Sequence, residues 1–150
     1  GTTTGWMIEY IRQEKATYVT NALSHAKRLA DKGFGVILIG GEPKSSTDAI
    51  VGAEAVLNLQ KYHFSKGFFG VNGVDRMSGF TTPDAREAMV KQVAVKNTQP
   101  AHRYFLTTAS KFGEVYAVTF AGFESGVILT EDNVSEALPK SIEIVKVGKN

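Results

Sequence analysis

Several short segments carry residue types that can do chemistry. Gly1-Thr2-Thr3-Thr4-Gly5 leads into a helix-like stretch. Three hydroxyls and several backbone N–H groups at a helix start suit a phosphate, because the helix dipole favours the anion and hydroxyls donate to its oxygens. The Gly-Lys-Ser/Thr ending of a P-loop is absent. Thr2, Thr3 and Thr4 can equally be ordinary helix caps. Asn21 and Gly41 each follow a strand-like run, where backbone amides can approach a ligand closely. Each also fits a plain cap or turn.

A second group lies further on. Asn72 and Asp75, in Gly70-Val71-Asn72-Gly73-Val74-Asp75, can hydrogen-bond sugar hydroxyls. Gly79-Phe80-Thr81-Thr82-Pro83-Asp84 follows, with Glu87 three residues after Asp84. Glu87 can face a cleft and move a proton between carbons, or it can close a capping box with Asp84. Lys111, in Ser110-Lys111-Phe112-Gly113, can neutralise a phosphate or form a Schiff base. It can also be a simple exposed lysine.

Other chemistries are disfavoured. The 150 residues include no cysteine, so disulfides and thiolate metal sites are impossible. The histidines, His25, His63 and His102, lack metal-ligand spacing on a helix and are expected at the surface or satisfied in the core. No metal or cofactor is expected. The net charge of +2 is spread along the chain, without the basic stripe that binds DNA. Lys140, Lys146 and Lys149 are expected on a solvated face. No apolar run approaches the roughly 20 residues that span a bilayer. A cytoplasmic location fits the absence of cysteine.

The elements that must position these residues alternate. Trp6, Met7, Tyr10 and Ile11 recur at helical spacing, and Tyr18 to Thr20 is a short strand. Ala22 to Asp31 is expected to be a helix capped by Asn21, ended by Lys32-Gly33. Gly35 to Ile39 has the continuous apolar character of a buried parallel strand. Gly52 to Gln60 is helical, Gly67 to Val71 a strand, and Asn72 to Pro83 a glycine-rich polar stretch. Asp84 to Lys96 is the clearest helix, with Ala88, Met89, Val93 and Lys96 marking one face. Tyr104 to Thr107 and Val127 to Leu129 are strands, Ser135 to Leu138 a helical turn, and Ile142, Ile144 and Val145 a last strand. Such alternation implies an α/β fold with a mostly parallel sheet flanked by helices. Ligands of such sheets bind beyond the strand C-termini. A single domain over residues 1–150 is expected, with no internal boundary.

The ordered set of these segments resembles the effector-binding domain of the DeoR family of bacterial repressors. Gly1 to Thr4, Val19-Thr20-Asn21, Leu38 to Gly41, Val51-Gly52, Phe69 to Asp75, Gly79 to Thr82 with Glu87, and Ser110 to Gly113 occur in the family's order and cover nearly the whole chain. The branch most similar includes repressors of fructose and lactose phosphotransferase systems. The resemblance implies the fold of ribose-5-phosphate isomerase, glucosamine-6-phosphate deaminase and coenzyme A transferases. It implies a phosphorylated sugar as inducer, of the fructose 1-phosphate or tagatose 6-phosphate class. It implies a homo-oligomer that meets operator DNA only through a separate N-terminal winged helix-turn-helix, and no membrane. The chain is accordingly expected to be a fragment, lacking that module and much of a first strand.

On this likeness Thr2, Thr3 and Thr4 hold the phosphate, helped by backbone near Asn21 and Gly41 and by the charge of Lys111. Asn72, Asp75, Asp84 and Glu87 read the sugar hydroxyls. The isomerases have an aspartate where Asn72 stands, and a lysine-led loop where Gly79 to Thr82 stands. Binding could survive these departures, whereas enolisation needs its acid and base groups placed together. Thr108 replaces an aspartate usual in the family. The alternative is an isomerase or deaminase of the same fold.

Overall fold

The structure is a computed structural model that describes residues 15–130 and 144–146. The chain divides into two compact units, Gly1–Tyr62 and His63–Asn150.

The first unit is built on a β-α-β segment. Strand β1 (Thr17–Thr20) pairs in parallel with β2 (Gly35–Leu38), and helix α1 (Leu23–Asp31) connects them. Leu29 of α1 and Phe34 form a small buried cluster, against which Tyr18 and Val36 pack. Asn21 is not the cap of α1. Ala22 occupies that position and makes no side-chain cap bond. Asp48 caps the helix from outside: its carboxylate accepts from the Ser24 N–H at 2.8 Å and from the Ser24 hydroxyl, and its carbonyl accepts from the Leu23 N–H. The Asn21 amide is drawn elsewhere, as described below.

The buried strand expected at Gly35 to Ile39 is parallel but not covered. Ile37 and Leu38 are exposed, since β1 is the one strand that pairs with β2 among the described residues. A short antiparallel pair follows, β3 (Glu42–Pro43) with β4 (Ile50–Val51), and then α2 (Ala53–Leu59).

The second unit holds a four-stranded parallel sheet in the order β11-β10-β8-β5. Its strands are β5 (Gly67–Gly70), β8 (Arg103–Thr107), β10 (Val127–Thr130) and β11 (Ile144–Lys146). The stretch Asn72 to Pro83 is not merely polar connection. It contains β6 (Gly73–Asp75) and β7 (Gly79–Thr82), an antiparallel hairpin to which β9 (Val118–Ala121) adds a third strand. Glycine weakens strand propensity, which hides this hairpin in the sequence. Gly73 is nonetheless required: a Cβ there would lie 2.4 Å from the Glu114 carbonyl oxygen.

Phe80 of β7 stacks on Phe105 of β8 with ring centroids 3.9 Å apart. That contact joins the antiparallel sheet to the parallel one. Phe69, Phe120, Phe123 and Ile128 complete the buried cluster. Helix α3 (Ala85–Lys96) contributes Ala88 and Val95, with Ala94 packed alongside. The inward face is therefore not the one expected. Met89 and Lys96 are exposed and Val93 half-buried, because the aromatic cluster selects the Ala88 and Val95 side. The expected helical segment at Trp6 to Ile11, the turn at Ser135 to Leu138, and Ile142 lie outside the described residues.

Candidate functional site

The parallel register of the second unit gathers its polar segments. Gly70 of β5 lies opposite Leu106 of β8. The residues that follow each strand therefore emerge at the same sheet edge: Val71 and Asn72 after β5, Thr108 to Lys111 after β8. The Gly113 N–H donates to the Val74 carbonyl at 2.7 Å, tying the second segment to β6. Lys111 ends a short 3-10 turn (Ala109–Lys111) and is half-buried. Thr108, where the family usually has aspartate, shares a 2.9 Å hydrogen bond with the Ser110 hydroxyl.

Asn72 and Asp75 part company along the hairpin. Asn72 sits at its base, where its N–H donates to the Thr81 carbonyl at 3.2 Å. Asp75 pairs with Gly79 at the tip. The Asp75 carboxylate accepts from the Met77 N–H at 3.0 Å and the Ser78 N–H at 2.7 Å, closing the turn. The Ser78 N–H is the strongest influence on this carboxyl, ahead of opposing burial, and holds it below the ordinary carboxylate range. Asp84 lies beyond the other end of the hairpin and caps α3, accepting from the Arg86 N–H at 2.7 Å and the Glu87 N–H at 3.2 Å. Asp75 and Asp84 thus lie at opposite ends of β7, a four-residue strand that spans roughly 10 Å at about 3.4 Å per residue.

Glu87 is half-buried in the first turn of α3. One turn on stands Lys91, which sequence reasoning missed. Its ammonium donates to the Gly70 carbonyl at 2.6 Å and lies 5.2 Å from the centre of the Phe120 ring. Burial pushes this ammonium below the ordinary lysine range, and the charge of Glu87 offsets only part of that. The available signal was the Glu87–Lys91 spacing, four residues apart on one helix face. Lys91 therefore reaches the C-terminal end of β5, two residues before Asn72, with Glu87 one helical turn away and the Lys111 segment at the same sheet edge.

In the first unit, Asn21 and Gly41 serve the local fold. The Asn21 amide donates to the Ile50 carbonyl at 3.0 Å, while the Ile50 N–H donates to the Asn21 carbonyl at 2.7 Å. A Cβ on Gly41 would lie 2.8 Å from the Val51 carbonyl oxygen, and its φ is +151°. Its close approach is to β4. Thr2, Thr3 and Thr4 lie outside the described residues. His25 is buried on α1, while His63 and His102 are exposed. No helix among the described residues is long and apolar enough to cross a membrane.

A four-stranded parallel sheet with helices and a small antiparallel sheet makes this an α/β protein, of the class that binds ligands beyond the strand C-termini. Residues 1–133 match the profile described as the DeoR C terminal sensor domain, and the chain belongs to that family. It is 42% identical over 133 residues to the helix-turn-helix-type transcriptional regulator FruR of Bacillus subtilis (strain 168), covering 88% of this chain and 52% of that protein. It is 32% identical over 149 residues to the lactose phosphotransferase system repressor of Staphylococcus aureus (strain NCTC 8325 / PS 47), covering 97% of this chain and 57% of that one. The corresponding repressor of Staphylococcus epidermidis (strain ATCC 12228 / FDA PCI 1200) is 32% identical over 151 residues. The chain spans about half the length of the curated relatives it matches.

Proposed function

We propose that this chain is the inducer-sensing part of a bacterial repressor of sugar metabolism, and that its ligand is a phosphorylated sugar. The match of residues 1–133 to the sensor-domain family carries this reading. The edge of the second unit supports it, because Asn72, Glu87 and the Lys111 segment offer the mixed donors and acceptors that a polyol phosphate needs.

In the second unit, Lys111 supplies positive charge to phosphate, and Asn72 and Glu87 read hydroxyls. Asp75 and Asp84 join them through carboxylate lone pairs not used by the hairpin tip and the helix cap. In the first unit, Thr2, Thr3, Thr4, Asn21 and Gly41 keep the phosphate-contacting role that the resemblance gives them. The fold is that of ribose-5-phosphate isomerase and glucosamine-6-phosphate deaminase, as one effector-binding domain, without catalysis. Asn72 in place of a carboxylate removes a group that enolisation requires. The protein works in the cytoplasm as a homo-oligomer and reaches operator DNA through a separate N-terminal domain. The sugar phosphate shifts a conformational equilibrium that sets how two such DNA readers are spaced.

Calorimetry and thermal melting with fructose 1-phosphate, fructose 6-phosphate and tagatose 6-phosphate test this. At a hundred times Kd, a ligand that binds only the folded state adds about 2.7 kcal/mol of stability. We expect heat and a raised melting temperature with at least one of the three. A folded sample that responds to none at millimolar concentration overturns the sensor reading. Turnover of a sugar phosphate, abolished by Glu87→Gln, would establish an enzyme instead.

A further inference from the structure

We infer that Lys91, aided by the Thr82 hydroxyl, forms the anion-binding centre of the second unit and takes a phosphate-type oxygen of the ligand. The identity of that ligand as a sugar phosphate rests on the function proposed above. The anion centre itself rests on a half-buried ammonium with one hydrogen-bond acceptor among the described residues and on a buried hydroxyl with none.

Lys91 is the first. An ammonium has three donors, and here one acceptor, the Gly70 carbonyl, is present among the described residues. Glu87, one turn earlier on the helix, acts on it electrostatically. The ammonium rests over Phe120, itself 3% exposed, and Lys91 is half-buried. A half-buried charge of this kind gains from an anionic partner that replaces its lost water. A lysine held only to tie α3 to β5 would need no charge at all.

Thr82 is the second. It is 1% exposed, and its hydroxyl has no hydrogen-bond partner among the described residues. Buried hydroxyls are almost always bonded, so an orphan calls for an absent partner. Strand alternation puts Thr82 on the same face of β7 as Phe80. Thr82 pairs with Val118 on β9, and the register shifts between Phe80 and Thr81, leaving Phe120 as the extra residue of β9 there. Phe80 and Phe120 have ring centroids 6.4 Å apart. The orphan hydroxyl and the ammonium therefore flank the Phe80–Phe120 ring pair, Thr82 two residues from Phe80 and Lys91 against Phe120. They come from separate elements, β7 and α3.

One anionic oxygen can take two donors at once. Phosphate suits Lys91 because a compact ammonium binds it as a point charge. Glu87, one turn before Lys91, adds a carboxylate that accepts from a neighbouring hydroxyl, so the pair would read adjacent phosphate and hydroxyl groups. Lys111 is a flanking charge on this view.

The probes are inorganic phosphate and the three sugar phosphates, with Lys91→Met, Thr82→Val and Lys111→Ala compared with the parent. Lys91→Met keeps the stem and removes the charge. We expect it to melt at or above the parent temperature and to bind anion about a hundredfold more weakly. Thr82→Val should also keep or raise stability and weaken binding about threefold to tenfold. Lys111→Ala should weaken it less than Lys91→Met does. Phosphate binding by Lys91→Met equal to the parent's overturns the proposal. So does a marked drop in its melting temperature, which would make Lys91 a structural strut, and so does a parent that ignores inorganic phosphate and every sugar phosphate. A parent that responds to inorganic phosphate through Lys91, but to no sugar phosphate, leaves the anion centre standing while the sugar-sensor function falls.

Discussion

The two units treat their polar residues in opposite ways. In the first, polar side chains hold the fold: Asn21 clamps β4 and Asp48 caps α1 from a distant loop. The hydrophobic cluster there rests on Leu29 and Phe34. In the second, stacked phenylalanines bind two sheets together, and Lys91 and Thr82 are left under-satisfied. A thick aromatic core tolerates unsatisfied polar groups that a thin one cannot, because its apolar burial outweighs their desolvation. Ligand-binding chemistry is accordingly easier to recognise in the second unit.

The largest expected effect tests that contrast in core strength. Phe105 is fully buried and touches the rings of Phe69, Phe80 and Phe120. Phe105→Ala should destabilise the second unit by about 3–5 kcal/mol. Leu29→Ala should destabilise the first by about 2–3 kcal/mol, the lower end for such a change, since few groups surround the cavity. Amide hydrogen exchange of β8 and β1 reads the two separately. Equal losses of protection would remove the distinction drawn between the cores.

A smaller effect compares two ways of capping a helix. Asp84 caps α3 from within its own sequence, whereas α1 depends on Asp48, 24 residues beyond Ser24. Asp84→Ala should cost about 1 kcal/mol, with lost exchange protection confined to the first turn of α3. Loss of protection throughout β6 and β7 would show that Asp84 also holds the hairpin.

These caps also mark what the sequence made legible. Asp84 followed by Glu87 announces a helix start, because the bonds it implies are local. The register that brings Asn72 and the Lys111 segment to one edge follows from parallel β5 and β8, which apolar runs suggested. The distant cap at Asp48 had no local sign, so Asn21, adjacent to the helix, was the natural expectation. Gly73 and Gly79 concealed the hairpin, since their short strands rely on close approach rather than side-chain propensity. Lys91 looked like any solvated helical lysine. Only the arrival of Gly70 and Phe120 from other strands makes its charge conspicuous. The sequence shows which polar segments follow the parallel strands, but which polar groups are already spent inside the fold depends on long-range contacts.

The smallest effect concerns the Asp48 cap and acid. Burial alone would raise the Asp48 carboxyl, but hydrogen bonds from the Ser24 hydroxyl and N–H outweigh it, with a smaller attraction to His25. The net result lies below the ordinary carboxylate range. The unfolded chain therefore binds this proton more readily than the folded one. The cap's contribution is fully present above the unfolded carboxyl pKa of about 3.9, and is lost as pH falls through the depressed folded value. Because Asp48 is exposed, that contribution should be near the low end for a cap, about 0.5 kcal/mol. Asp48→Ala should remove it at neutral pH and flatten the acid dependence of protection in α1, leaving α3 unchanged. Asp48→Asn retains an acceptor and should keep part of the stability while losing the pH dependence. An unaltered acid profile for α1 in both variants would mean that its stability near pH 4 is governed elsewhere, and the first unit would not depend on this borrowed cap.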